Sequence, residues 1–191
     1  MDKKDVIDFF DKLAPCWDAV NLQNEEVVSE ILSRGGIRKG IKVLDVACGT
    51  GVLFPNYAAI GVKVTGIDIS SEMVKRAKEK FPEAEVICAD VLEYSFEDKF
   101  DAIMIYNAFP HFAEPEKLIE KLSALMGKSG RLTVAHGISE EELEKCHSGS
   151  AKNVSVSLVK KEVLAEMMSR WFDVDVMISD DRMYMVSGVK R

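Results

Sequence analysis

Three aspartates close three apolar runs. Asp45 stands inside Val43-Leu44-Asp45-Val46, Asp68 follows the run Val62 to Ile67, and Asp90 follows residues 85–89. Just after the first comes Ala47-Cys48-Gly49-Thr50-Gly51. Glycines at the end of a buried strand permit a turn closed to other residues and let a ligand approach the main chain. A strand, a glycine turn, a helix and a second strand ending in a carboxylate form a nucleoside site, because that carboxylate can accept both ribose hydroxyls. A second group of reactive side chains lies further on. Tyr106, Asn107 and His111 follow one apolar run, His136 ends another, and His147 lies beyond it.

The glycine spacing chooses among nucleoside ligands. A dinucleotide fingerprint needs a third glycine where this chain has Phe54, which weighs against a nicotinamide-dependent oxidoreductase. No Gly-Lys-Ser/Thr follows, so a P-loop is excluded. The remaining pattern, Asp45-x-Ala47-x-Gly49-x-Gly51, resembles the first motif of class I S-adenosylmethionine (SAM) dependent methyltransferases, in the small-molecule, type 11/25-like branch. That family usually carries glycine where Ala47 stands. The lead-in Phe9-Phe10-Asp-Lys-Leu-Ala-Pro-Cys-Trp17-Asp18 is similar to a segment that, in such enzymes, folds over the bound cofactor. The resemblance covers about residues 40–190 besides this lead-in. It implies that Asp45, Ala47, Gly49 and Gly51 shape the methionyl end of a SAM site. It further implies that Asp68 takes the ribose, Ile69 lies on the adenine face, Asp90 accepts from the adenine amino group, and Val91 and Asn107 stand nearby.

These residues need a scaffold to bring them together. The apolar runs predict strands over 41–47, 62–68, 85–89, 100–106 and 131–136, with helices over 52–60, 71–80 and 115–126 between them. Strand–helix alternation of this kind builds a parallel sheet. Before it, helices are expected over 3–13, ended by Pro15, and 25–33, stopped by Gly35-Gly36. Gly127 is expected to stop the helix that Pro115 opens. After the sheet, Ser139 and Glu142 form a capping box for a short helix reaching His147. A mobile loop is expected over 148–157, then a helix over 160–172 and strands over 173–179 and 183–189. The resemblance implies a Rossmann-like α/β fold with seven strands in the order 3-2-1-4-5-7-6, the last antiparallel. We expect a single domain, 1–191, with an N-terminal helical lid (1–36) over a SAM-binding core (37–191).

In open α/β sheets ligands sit beyond the carboxyl ends of the strands, and there the histidines admit three readings. Each can be a structural partner of loop backbone. His111 and His136, with Tyr106, can be catalytic, a neutral imidazole removing a proton from the acceptor. Or His111, His136 and His147 can hold a divalent metal with an open position for substrate. The reading these residues favour is methyl transfer from SAM to a small-molecule acceptor. A SAM- or nucleotide-binding sensor or accessory protein without turnover, and a metal-assisted methyltransferase, are the alternatives.

Composition narrows the classes. The chain has 191 residues, 47% apolar and 30% charged, enough for a core without disulfide or metal staples. A net charge of −7 argues against a nucleic-acid partner. No apolar run approaches the length of a membrane span, and no apolar stretch follows Met-Asp-Lys-Lys-Asp as in a signal peptide. Four scattered cysteines suit a reducing, cytoplasmic setting. Nothing in the closing strands fixes an oligomeric state.

Overall fold

The computed structural model describes residues 2–148, 154–156 and 158–191, the side chains of 146–148 excepted. Seven strands form one sheet in the order β3-β2-β1-β4-β5-β7-β6. They are β1 (Lys42–Val46), β2 (Lys63–Asp68), β3 (Glu85–Cys88), β4 (Phe100–Tyr106), β5 (Met126–His136), β6 (Phe172–Ser179) and β7 (Tyr184–Lys190). The first five pair in parallel, and β7 runs antiparallel to both β5 and β6. This is the Rossmann-like methyltransferase sheet that the resemblance implies.

The central strands are apolar on both faces because helices cover both faces. Along β1, Leu44 and Val46 join one core cluster while Val43 joins the other. Along β4, Ile103 and Ile105 join the first, and Ala102, Met104 and Tyr106 the second. That alternation is the period of two that a strand imposes. The second cluster is closed by helices α3 (Glu25–Arg34), α4 (Phe54–Ile60) and α5 (Ser71–Lys80). The first is closed by α6 (Pro115–Ala124), α7 (Glu140–Ser148) and α8 (Lys161–Met168). Helix starts follow from side-chain caps. Asn24 accepts from Glu26 and Val27 N–H, and Ser70 Oγ accepts from Met73 N–H. Ser139 and Glu142 make the reciprocal capping pair at α7.

Four boundaries differ from expectation. Helix α1 (Lys3–Leu13) does stop before Pro15, but a 3₁₀ turn (Ala14–Cys16) and a short α2 (Trp17–Val20) continue it. Helix α4 begins at Phe54 rather than 52, since the glycine turn needs the intervening residues. Helix α8 ends at Met168, and β6 takes over at Phe172. Strand β5 begins at Met126 rather than Arg131, so Gly127 lies in the strand and does not stop a helix. Phe100 already pairs with Met126, and a register shift with Ser129 at φ +66° absorbs the polar stretch between. The loop expected over 148–157 falls mostly outside the described residues. Among the described residues no helix is long and apolar enough to cross a membrane.

Candidate active site

One cavity of about 150 Å³ opens over the carboxyl ends of β1, β2, β3 and β4. Its walls take in Ala47, Gly49, Asp68, Ile69, Asp90 and Val91 on one side. Tyr106, Asn107 and His111 line it at the end of β4, and Phe10, Trp17 and Gln23 reach it from the N-terminal helices.

The glycine turn is built by backbone strain and one carboxylate. Ala47, Gly49 and Gly51 have φ of +56°, +54° and +78°. Ala47 therefore occupies a left-handed conformation that costs a side-chain-bearing residue roughly 1–2 kcal/mol. Asp68 fastens the turn: Gly49 N–H donates to its Oδ2 and Ser70 N–H to its Oδ1, both at 2.8 Å. Burial pushes the Asp68 carboxyl up to about 6, while these backbone amides pull it back. Asp45 lies beneath, fully enclosed and outside the cavity wall. Burial first, and the neighbouring Asp68 second, push it up to about 8. Gly51 also lies off the wall, its side-chain space filled by the Phe54 and Phe81 rings. Gly51 N–H donates to Cys48 O and Phe54 N–H to Gly51 O, so the turn leading into α4 uses both.

The N-terminal helices are tied to the loops after four strands. Asp18 Oδ1 accepts from Thr50 Oγ after β1 at 2.5 Å. Asp11 Oδ1 accepts from Ser70 Oγ after β2 at 2.6 Å. Lys3 Nζ pairs with Asp90 Oδ2 after β3 at 2.5 Å. Tyr106 at the end of β4 donates to Gln23 Oε1 at 2.6 Å. Asp90 is thus shared: its other oxygen caps Leu92 N–H. Lys3, Asn21 and Gln23 were not foreseen in sequence as site residues. The polar run Asn21-Leu-Gln-Asn24 between two helices was the available signal.

Beside β4, Asn107 takes φ +54° and its Oδ1 accepts from Gly137 N–H at 2.9 Å. A Cβ on Gly137 would come within 2.2 Å of the Tyr106 hydroxyl, so glycine there makes room for the phenol. His111 Nδ1 lies 2.7 Å from Val154 O, and its ring meets Phe10 edge-on at 4.9 Å. A carbonyl only accepts, so this contact assigns the proton to Nδ1 and makes Nε2 the basic nitrogen of the neutral ring.

The structure does not bring the histidines together at the cavity. His136 is fully buried away from its wall, with its ring against Tyr184 at 5.9 Å. It shares the strand face of Leu132 and Val134, which points into the core. The His147 side chain lies outside the described residues. Among the described residues no three His, Cys, Asp or Glu side chains form a group that could hold a metal, and the three-histidine metal alternative gains no support.

A cavity at the switch point of a 3-2-1-4-5-7-6 sheet, with a glycine turn and strand-end carboxylates, defines a class I SAM-dependent methyltransferase. A family model described as a methyltransferase domain matches residues 43–130. The chain is 30% identical over 195 residues to the demethylmenaquinone methyltransferase of Paenarthrobacter aurescens, covering 90% of this chain and 74% of that one. It belongs to this methyltransferase family. Among solved structures, the methyltransferase in a Haloferax volcanii complex with the activator Trm112 superposes with a TM-score of 0.79 at 16% identity, covering 95% of this chain and 97% of that one. Magnesium protoporphyrin IX methyltransferase from Synechocystis PCC 6803, with bound SAH (S-adenosylhomocysteine), does so with a TM-score of 0.75 at 19% identity over the full length of both.

Proposed function

We propose that this enzyme moves the methyl group of SAM to a small-molecule acceptor inside the cavity, and that residues 1–36 act as its lid over the core of residues 37–191. One observation carries the reading: a single cavity joins a nucleoside-type wall (Gly49, Asp68, Ile69, Asp90, Val91) to an aromatic and polar wall (Phe10, Trp17, Tyr106, His111). The first wall fits the cofactor. Asp68, buried and held by two amides, would accept the ribose hydroxyls, Ile69 and Val91 would flank the base, and Asp90 would take its amino group. Ala47 and Gly49 would run beside the methionyl portion. When bound, SAM supplies an electrophilic methyl group.

This chain's own task is then placement. An acceptor held at near-attack distance in a site shielded from water gains most of the available acceleration from orientation. His111 Nε2 would receive the proton of a protic acceptor, and the Val154 carbonyl holds the ring in the tautomer that makes Nε2 basic. Tyr106 keeps its proton, since burial pushes its hydroxyl up to about 12, so it would bind rather than remove protons. The relative's quinone-type substrate supports a ring-containing acceptor. Incubation with methyl-labelled SAM and a metabolite extract tests this. A labelled small-molecule product that vanishes in His111→Ala or Asp68→Ala is expected. Tight SAM binding with no labelled small molecule would refute turnover, and no SAM binding would refute the site.

A further inference from the structure

We infer that Gln23, on the lid, selects the acceptor: with Tyr106 it recognises a hydrogen-bond donor, a hydroxyl or amine, on a small ring-containing molecule. This rests on the methyltransferase reading of the cavity. The argument follows the protons. Tyr106 has one, and it goes to Gln23 Oε1 at 2.6 Å. Gln23 Nε2 donates to Asn21 O at 2.7 Å, which fixes the amide so that Oε1 faces the phenol. The neighbouring Asn107 has its Oδ1 tied to Gly137 N–H. What the two facing oxygens have left is lone pairs, on the phenol oxygen and on Gln23 Oε1, beside the second Nε2 hydrogen of Gln23. Both residues line the cavity, beside Phe10, Trp17, His111 and Phe112.

The two oxygens, 2.6 Å apart and sharing the one phenol proton, accept from a ligand that reaches both. An acceptor molecule bearing O–H or N–H satisfies them. An ether or a ketone of the same shape sets lone pair against lone pair and leaves polar groups unpaired. Sites built to hydrogen-bond a substrate hydroxyl discriminate strongly against analogues that lack it, for this reason. The strand side of the pair is rigid, because the phenol is wedged against Gly137 and buried in the core. Gln23 comes from the lid, so the lid brings the second half of the recognition.

The test uses 1-naphthol and 1-methoxynaphthalene as paired probes on the full chain saturated with SAH, titrated by NMR. SAH affinity is measured separately by calorimetry. In the wild type, naphthol should bind about tenfold or more tighter than its ether, the effect of one unsatisfied hydrogen-bonding group. Gln23→Leu should bring that ratio close to one. Gln23→Glu, which keeps an accepting oxygen, should retain it. Equal binding of the two probes by wild type, or full discrimination persisting in Gln23→Leu, overturns the assignment. Failure to bind SAH would instead overturn the reading of the cavity on which it rests.

Discussion

Replacing Asp45 with asparagine should remove most of the pH dependence of this protein's stability between pH 5 and 9. Asp45 is enclosed on all sides, and its carboxyl is pushed up to about 8 by burial and by Asp68. In the unfolded chain it titrates near 3.9. The folded state thus holds a proton that the unfolded state has lost. Below about pH 4 both states are protonated and nothing is lost. As pH rises towards 8 the chain loses up to about 1.4 kcal/mol per unit, for a total no larger than about 6 kcal/mol. For a chain of this size that corresponds to roughly 10–20 °C in Tm at the upper bound. Asparagine has the shape of the protonated acid and no charge to desolvate. We expect the wild-type Tm to fall from pH 5 to pH 9, and that of Asp45→Asn to stay much flatter, with the two curves closest at pH 5. Differential scanning fluorimetry across this range decides it. Parallel curves would mean that Asp45 is ionised in the folded state, and the reasoning would fail.

Three further outcomes follow from geometry already described. Asp68→Asn keeps one accepting oxygen but sets an NH₂ against the second backbone amide, so SAH affinity at pH 7.5 should fall about tenfold or more by calorimetry. Wild-type affinity should itself weaken as pH drops through about 6, where Asp68 takes up its proton. Ala47→Gly relieves a left-handed alanine and should raise the urea midpoint by up to about 1 kcal/mol of stability, while an unchanged or lower midpoint would show the strain is absent. Ile103→Ala, in the middle of β4 and fully buried, should cost about 2–5 kcal/mol in urea unfolding without altering SAH affinity per folded molecule.

The sheet was legible because its signals are local. Each parallel strand is a short apolar run, and Asp68 and Asp90 come at or just after the ends of two of them, so alternation and spacing locate one wall of the cavity. Boundaries failed where tertiary pairing overrides local pattern. Lys128 to Gly130 look like a loop, yet β4 pairing draws Met126 into the sheet. The histidines show another kind of limit. Proximity to a strand end says nothing of which face a side chain takes. His136 shares the parity of Leu132 and Val134, so alternation along β5 already put it on their face of the sheet, the one that α6, α7 and α8 cover. Gln23 was out of reach for a different reason, since its partner Tyr106 is distant in the chain and the two meet only because the N-terminal segment passes over the end of β4.

The wedge between Tyr106 and Gly137 bears on how this sequence can drift. The phenol oxygen sits where the 137 side chain would begin. Glycine at 137 is therefore a debt owed to the hydroxyl at 106, and the two positions should change together. A descendant that trades the phenol for phenylalanine removes the 2.2 Å clash and leaves the ring's Cζ, 3.2 Å away, to give a few tenths of an ångström for alanine at 137, while one that keeps the tyrosine must keep the glycine.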